Sequence, residues 1–244
     1  MITLSVNVNK IATLRNSRGA DVPSVTAAVA TCIEAGAPGI TVHPRLDQRH
    51  IRPDDVTAIA ALLRRHPGVE FNMEGDPRPD LIALVLEVRP TQCTLVPVTP
   101  GEITSHAGWR PGPASDALPD TVAALKAAGV RVSVFVDPEP AAIRWAAGTG
   151  ADRIELYTEP FAQAHRRGPA DARRSFDQYS AASSLAHALG LGVNAGHDLD
   201  LENLPLFRAL PHLAEVSIGH ALISHALWVG LDRAVRDYLA AVSL

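Results

Sequence analysis

Three short runs of the chain end on side chains that can move protons. GITVH closes on His43, FNME on Glu74 and VNAGH on His197. Imidazole is the group best matched to giving and taking protons near neutral pH. A carboxyl carried into apolar surroundings has its pKa raised, while a neighbouring histidine or arginine lowers it. Taken singly, such residues are more often plain hydrogen-bonded or surface groups. Three of them, each at the end of an apolar run, shift the balance toward acid–base chemistry. Other polar groups occupy equivalent places: Asn7, Asn9, Lys10, Arg15 and Arg18 after the first run; Arg45, Arg49 and His50 behind His43; Thr104; Glu155 and Thr158; and Asn194. In SIGHALIS, Gly219 and His220 pass straight from a strand into a helix. A helix start with unpaired N–H groups favours a phosphate, so an anion can sit beside the proton carriers.

Chemistry spread this widely needs a scaffold that gathers strand ends. The chain alternates short runs rich in β-branched residues (ITLSVNV, GITVH, EFNME, QCTLVPV, RVSVFV, RIELYT, GVNAG, EVSIG) with longer segments of helical spacing. That makes eight strands. The helices run from SVTAAVATCIEAGA to a closing HALISHALWVGLDRAVRDYLAAV, and they also number eight. Gly36, Gly129 and Gly190 suit helix C-termini, and Pro53, Pro79 and Pro119 suit first turns. Several strands read as apolar almost throughout, as if covered on both faces, and each crossover is long enough to return parallel. The expected fold is an α/β (β/α)8 TIM barrel forming one domain over residues 1–244, with short extra helices allowed in the loops. An open doubly wound sheet would show a glycine-rich turn after its first strand, and VNVNKIATLRNSRG has none. In a barrel the C-terminal strand ends face one mouth, where the polar residues named above would converge.

Two connections are long, VPVTPGEITSHAGWRPGPASD and TEPFAQAHRRGPADARRS, and either could close as a lid. The run of Arg166, Arg167, Arg173 and Arg174 reads as a solvated face, and the stripe on the last helix with Trp228 and Leu231 as packing against the barrel, with a subunit interface second.

With 22 Lys+Arg against 26 Asp+Glu, the 244-residue chain has a net charge of −4 and no basic face for nucleic acid. No apolar run reaches the roughly 18–20 residues of a spanning helix, and the opening MITLSVNVNK lacks the pattern of a leader, which predicts a cytoplasmic protein without membrane contact. Cys32 and Cys93 have no metal-site or disulfide spacing and read as core. Small phosphorylated molecules are the expected partners.

In order along the chain, VNVNKIATLRNSRG, GITVHPRLDQRHI, FNMEG, TLVPVTPGEITSHAGW, VNAGHDL and SIGHALI resemble the motifs of the pyridoxine 5'-phosphate synthase family, which closes the ring in one vitamin B6 pathway. The resemblance implies condensation of 1-deoxy-D-xylulose 5-phosphate with 3-amino-2-oxopropyl phosphate, giving pyridoxine 5'-phosphate, inorganic phosphate and water, with no metal and no cofactor. It implies that His43 and Glu74 accept protons and His197 donates one. Asn7, Arg18, Asp198, Gly219 and His220 fall at positions for the amino-ketone phosphate. Arg45, His50 and Thr104 fall at positions for the deoxyxylulose phosphate, as do Asn9 and Lys10. A homo-octamer is also implied. Two departures stand out: Asn9–Lys10 replaces a common aspartate–histidine pair, and Asp198 replaces a common glycine, where a carboxylate would repel phosphate unless it orients His197. Two other functions fit the residues: a metal-dependent sugar-phosphate isomerase or aldolase, with His43, Glu74 and His197 as ligands, and a non-catalytic barrel that binds a phosphometabolite.

Overall fold

The structure, a computed structural model, describes residues 2–97 and 107–243. Eight parallel strands close into a barrel in sequence order: β1 (Thr3–Asn7), β2 (Gly39–Val42), β3 (Glu70–Gly75), β4 (Gln92–Leu95), β5 (Arg131–Val136), β6 (Arg153–Tyr157), β7 (Gly192–Gly196) and β8 (Leu213–Ile218), which pairs back onto β1. The expected (β/α)8 barrel is therefore present, with every strand where the sequence places it.

The strands alternate. Leu4, Val6, Ile40, Val42, Met73, Cys93, Leu95, Val132, Val134, Ile154, Leu156, Val193 and Val216 are buried in one continuous core with the surrounding helices. The intervening residues point into the barrel and are mostly polar. Ser5 and Thr41 hydroxyls lie 2.6 Å apart, Asn72 donates to Thr41, and Thr94 donates to Asn72 at 3.0 Å. This corrects the expectation of strands apolar throughout. The outer face is continuously hydrophobic and the interior mostly polar, whereas the interior of such barrels is usually filled by branched aliphatic side chains.

The helical layer comprises α1 (Asn9–Asn16), α2 (Val25–Glu34), α3 (Pro53–Leu63), α4 (Pro79–Val88), α5 (Leu118–Ala127), α6 (Pro140–Gly148), α7 (Glu159–Arg167), α8 (Pro169–Ala188), α9 (Leu204–Phe207), α10 (His220–Val229) and α11 (Leu231–Ser243). Three of these revise the sequence reading. Asn9 and Lys10 open helix α1 instead of lying in a loop. The second long connection is not a loop: it forms α7 and the first turns of α8, joined at Gly168 with φ 130° and continued by Pro169. The closing helix breaks at Gly230, whose φ of 84° suits glycine, and the two halves are stapled by His225 and Asp237 at 3.0 Å. Arg167 and Arg174 both reach Asp171, and Arg173 pairs with Asp177, so the arginine run is a solvated helix face as expected. No helix among the described residues is long and apolar enough to cross a membrane.

Candidate active site

At the C-terminal end of the strands lies a cavity of about 480 Å³, the size of a small-molecule site. Its lining includes Asn7, Asn9, Lys10, His43, Arg45, His50, Glu74, His197, Asp198, Gly219 and His220, so the barrel brings these predicted residues together from strands far apart in sequence. Thr104 lies outside the described residues, as does the 98–106 part of the lid expected in the first long connection. Arg18 is exposed on the turn beyond α1 and is not among the lining residues. Arg15 is not a site cation. It is buried in a two-pronged pair with Asp55, also donates to the His50 carbonyl at 3.3 Å, and so anchors the β2–α3 connection.

The proton carriers are set by burial. Glu74, at the end of β3, accepts long hydrogen bonds from Asn7 and Ser217, each 3.4 Å. Removal from water pushes its pKa up to about 8; the Ser217 bond opposes this, and the Glu215 carboxylate beneath adds to it. His43 is pushed the other way, well below the ordinary imidazole value, by burial first and then by His50, Arg45, Arg78 and His197. Their approach of 3.9 Å (His43 Nδ1 to Glu74 Oε2) is therefore not an ion pair, since burial favours the neutral form of both. His50 is held to about 4 by burial and by Arg45 and Lys10. Its ring meets His43 edge-on at 5.8 Å.

Backbone and amide groups fix these positions. The Asn9 side chain accepts from the His43 N–H at 2.9 Å, and the Asn9 N–H donates to Asn7 Oδ1 at 3.0 Å. Asn9 thus ties the start of α1 to the end of β2, a contact an amide makes without adding charge. His197 sits at φ 80° and Asp198 at φ 58°, a turn that lifts the imidazole off β7. The His197 carbonyl accepts from the buried Thr158 hydroxyl, and its ring rests against Phe135 and Tyr157, centroids 5.1 and 5.5 Å away. Asp198 is exposed at the rim, with its carbonyl accepting from Asn203 at 3.0 Å. Gly219 lies so close to Asn7 that a Cβ would come within 3.0 Å of it. The first-turn N–H groups of α10 follow directly and have no intrahelical acceptors, which suits an anion.

Sequence reasoning placed Glu155 at the mouth without a role and left Glu159, Ser217 and Val96 out of the site, although all four line the cavity. The signal for Glu155 was its place in RIELY, one inward step below the end of β6, paired in register with Asn194 and Phe135. Burial raises its pKa well above the usual carboxylate range, and Glu74 and Glu215 add to that. Three buried atoms facing this region, His43 Nε2, His50 Nδ1 and Glu155 Oε2, have no hydrogen-bond partner among the described residues. Unpaired buried polar atoms are costly and rare in folded proteins, and here they gather where a ligand would complete them. Among the described residues no three His, Cys, Asp or Glu side chains are grouped as ligands for a metal ion.

The barrel is shared by many solved structures of low identity. One from Aquifex aeolicus VF5 matches with a TM-score of 0.67 at 13% identity, covering 99% of this chain and 93% of its own. The 3-hexulose-6-phosphate synthase of Salmonella typhimurium matches with a TM-score of 0.61 at 17% identity, covering 99% and 100%. These likenesses concern the fold alone. Sequence relatives are much nearer. The pyridoxine 5'-phosphate synthase of Bacteroides fragilis (strain YCH46) is 52% identical over 239 residues, 98% of each chain. That of Porphyromonas gingivalis is 50% identical over 245 residues, 100% of each. The family model described as "Pyridoxal phosphate biosynthesis protein PdxJ" matches residues 4–244. With the fold, the lining of the cavity and near-full-length identity in agreement, the chain belongs to the PdxJ family of pyridoxal phosphate biosynthesis proteins.

Proposed function

We propose that the chain is a pyridoxine 5'-phosphate synthase, condensing 1-deoxy-D-xylulose 5-phosphate with 3-amino-2-oxopropyl phosphate. The observation that carries this reading is the convergence of His43, Glu74 and His197 on one cavity, in a chain half-identical to proteins of that name. Joining the amine to the ketone, losing phosphate and water, and closing an aromatic ring require proton transfers at several atoms; the atoms balance without an oxidant. The amine arrives as an ammonium and must lose a proton before it attacks, and neutral His43 takes it. The carbonyl oxygen leaves as water and needs a proton, which Glu74, protonated at neutral pH, supplies before acting as acceptor in later steps. His197 serves the opposite wall as donor.

Two dianionic phosphates need two seats. One is the start of α10 with Asn7, Gly219 and His220 and Asp198 at the rim, and the family resemblance assigns Arg18 to the same phosphate. The other lies at Arg45, His50, Asn9 and Lys10, where Lys10 adds a cation, and the family resemblance assigns Thr104 to the same phosphate. Holding both substrates there brings amine and carbonyl together. The protein acts as one barrel domain over residues 1–244, as a homo-oligomer, an octamer by the family resemblance, in the cytoplasm, on phosphorylated small molecules and without metal or organic cofactor.

Mixing the purified protein with both substrates and following product absorbance and phosphate release tests the reading, with turnover expected. A folded protein that binds phosphate and makes no product supports the binding-barrel alternative. Activity that depends on stoichiometric zinc or manganese supports the metal-dependent one.

A further inference from the structure

The cavity lining is polar on every side but one. Among the described lining residues Val96 alone has an aliphatic side chain. It packs with Phe135 and Tyr157 in a small apolar cluster separate from the main core, each residue at most 4% exposed. The N–H of Val96 donates to the Gly75 carbonyl at 2.9 Å, which fixes it beside the residue that follows Glu74. At its other end the cluster carries the His197 ring on Phe135 and Tyr157. An apolar wall thus runs between two of the proton carriers.

We propose that this wall seats the C1 methyl group of the ketose phosphate, and that Val96 sets the preference for a 1-deoxy ketose over one ending in a hydroxymethyl group. The inference rests on the function proposed above and adds which atom of the substrate is selected. In the two substrates every carbon except that methyl carries oxygen or nitrogen. It is the one group whose burial needs no polar partner. It is also bonded to the ketone carbon that the amine attacks. In that step a C–N bond forms and the C–O bond breaks; the oxygen departs as water, and the two protons it gains balance the two that the amine nitrogen gives up to the proton carriers. The seat of the methyl must therefore adjoin a proton carrier, and this wall ends on His197. A hydroxymethyl group in its place would turn a hydroxyl against the methyl groups of Val96, where it loses water and gains no partner from that side chain.

If the wall merely fills the top of the barrel, changing Val96 should alter the rates for both ketoses equally. The test is kcat/KM for 1-deoxy-D-xylulose 5-phosphate and for D-xylulose 5-phosphate, with the same amino-ketone, in the wild type and in Val96→Thr. The wild type should prefer the deoxy sugar on the order of 100-fold, the scale on which an apolar pocket rejects an added hydroxyl. Val96→Thr keeps the shape, introduces a hydroxyl, and should cut that ratio roughly tenfold. Equal wild-type values overturn the inference, and so does an unchanged ratio in a folded Val96→Thr protein. Should that variant fail to fold, Val96→Ala is read instead: the widened seat should lower the ratio, and an unchanged or higher ratio overturns the proposal. A wild type that turns over neither ketose refutes the underlying function, and the inference falls with it.

Discussion

The two ends of this barrel are built from the same kinds of residue and treat them in opposite ways. At the N-terminal end of the strands, the guanidinium of Arg131 pairs with Glu70 and donates to Gln92 at 2.9 Å; Arg153 reaches Asn194 at 3.0 Å and Glu215 at 3.2 Å; and Gln92 donates to Glu215 at 3.3 Å. Burial pushes Glu215 up and Arg153 pulls it back. At the mouth, Glu74 has two 3.4 Å contacts, and His43, His50 and Glu155 each keep a buried atom without a partner. Charge that is met by charge closes the floor. Polar groups left half-met keep their chemistry for something that enters. The comparison teaches that inward polarity alone does not mark a site; the balance of partners does.

Substitution at each end should separate the two roles. Arg153→Met leaves Glu215, 3% exposed in its side chain, without its main partner, and should cost roughly 3–5 kcal/mol in urea unfolding, the scale for a buried charge stripped of its partner. A loss under about 1 kcal/mol would show that the floor is not held by that pair. Glu74→Gln should do the reverse: turnover drops about a hundredfold or more while unfolding at pH 7 is unchanged or slightly harder, because a buried carboxyl is exchanged for a neutral amide. Near-normal turnover would remove Glu74 from the chemistry.

A pH series sharpens the contrast further. The Glu74 pKa is raised from 4.5 to about 8, so its contribution to stability is full below about 4.5 and is lost as pH rises toward 8. His50 is lowered from 6.5 to about 4, so its contribution is full above 6.5 and is lost as pH falls toward 4. The two slopes oppose each other from pH 4.5 to 6.5. Above 6.5 only the raised carboxyls remain, and wild-type stability should fall by up to about 1.4 kcal/mol per pH unit for each proton released. Chemical denaturation at pH 6.5 and pH 8 should show that decline shrinking in Glu74→Gln; an identical decline in both proteins would rule out Glu74 as its source. The smallest effect is expected from His50→Ala, which should raise KM for the ketose phosphate roughly tenfold, as for loss of one hydrogen bond to a charged ligand, with little change in kcat. A kcat loss at constant KM would move His50 into the chemical step.

Much of this was legible from local pattern. The eight strands and the runs ending on His43, Glu74 and His197 follow from β-branched clusters and the polar residues that interrupt them, and the phosphate-suited start of α10 follows from glycine directly ahead of a helix. Less legible were α1 and α7. Asn9–Asn16 has weak amphipathy and no side-chain N-cap, and α7 is cut from α8 by Gly168, so each reads as loop until it packs. Arg15 and Arg18 are three residues apart in one motif, yet one is buried on Asp55 and the other faces solvent. Nothing in their spacing separates them.

The order of residues by itself determined a barrel of eight units and a mouth rich in imidazole, carboxyl and cation, because period and composition are local properties of the chain. Tertiary structure alone decided which of those groups are neutral, which are paired, and where the wall of Val96, Phe135 and Tyr157 stands. Desolvation and hydrogen bonding depend on neighbours brought from afar, such as Ser217 on Glu74 across 143 positions and Gln92 on Glu215 across 123. A carboxyl becomes an acid at pH 7 only when water has been displaced by such distant residues.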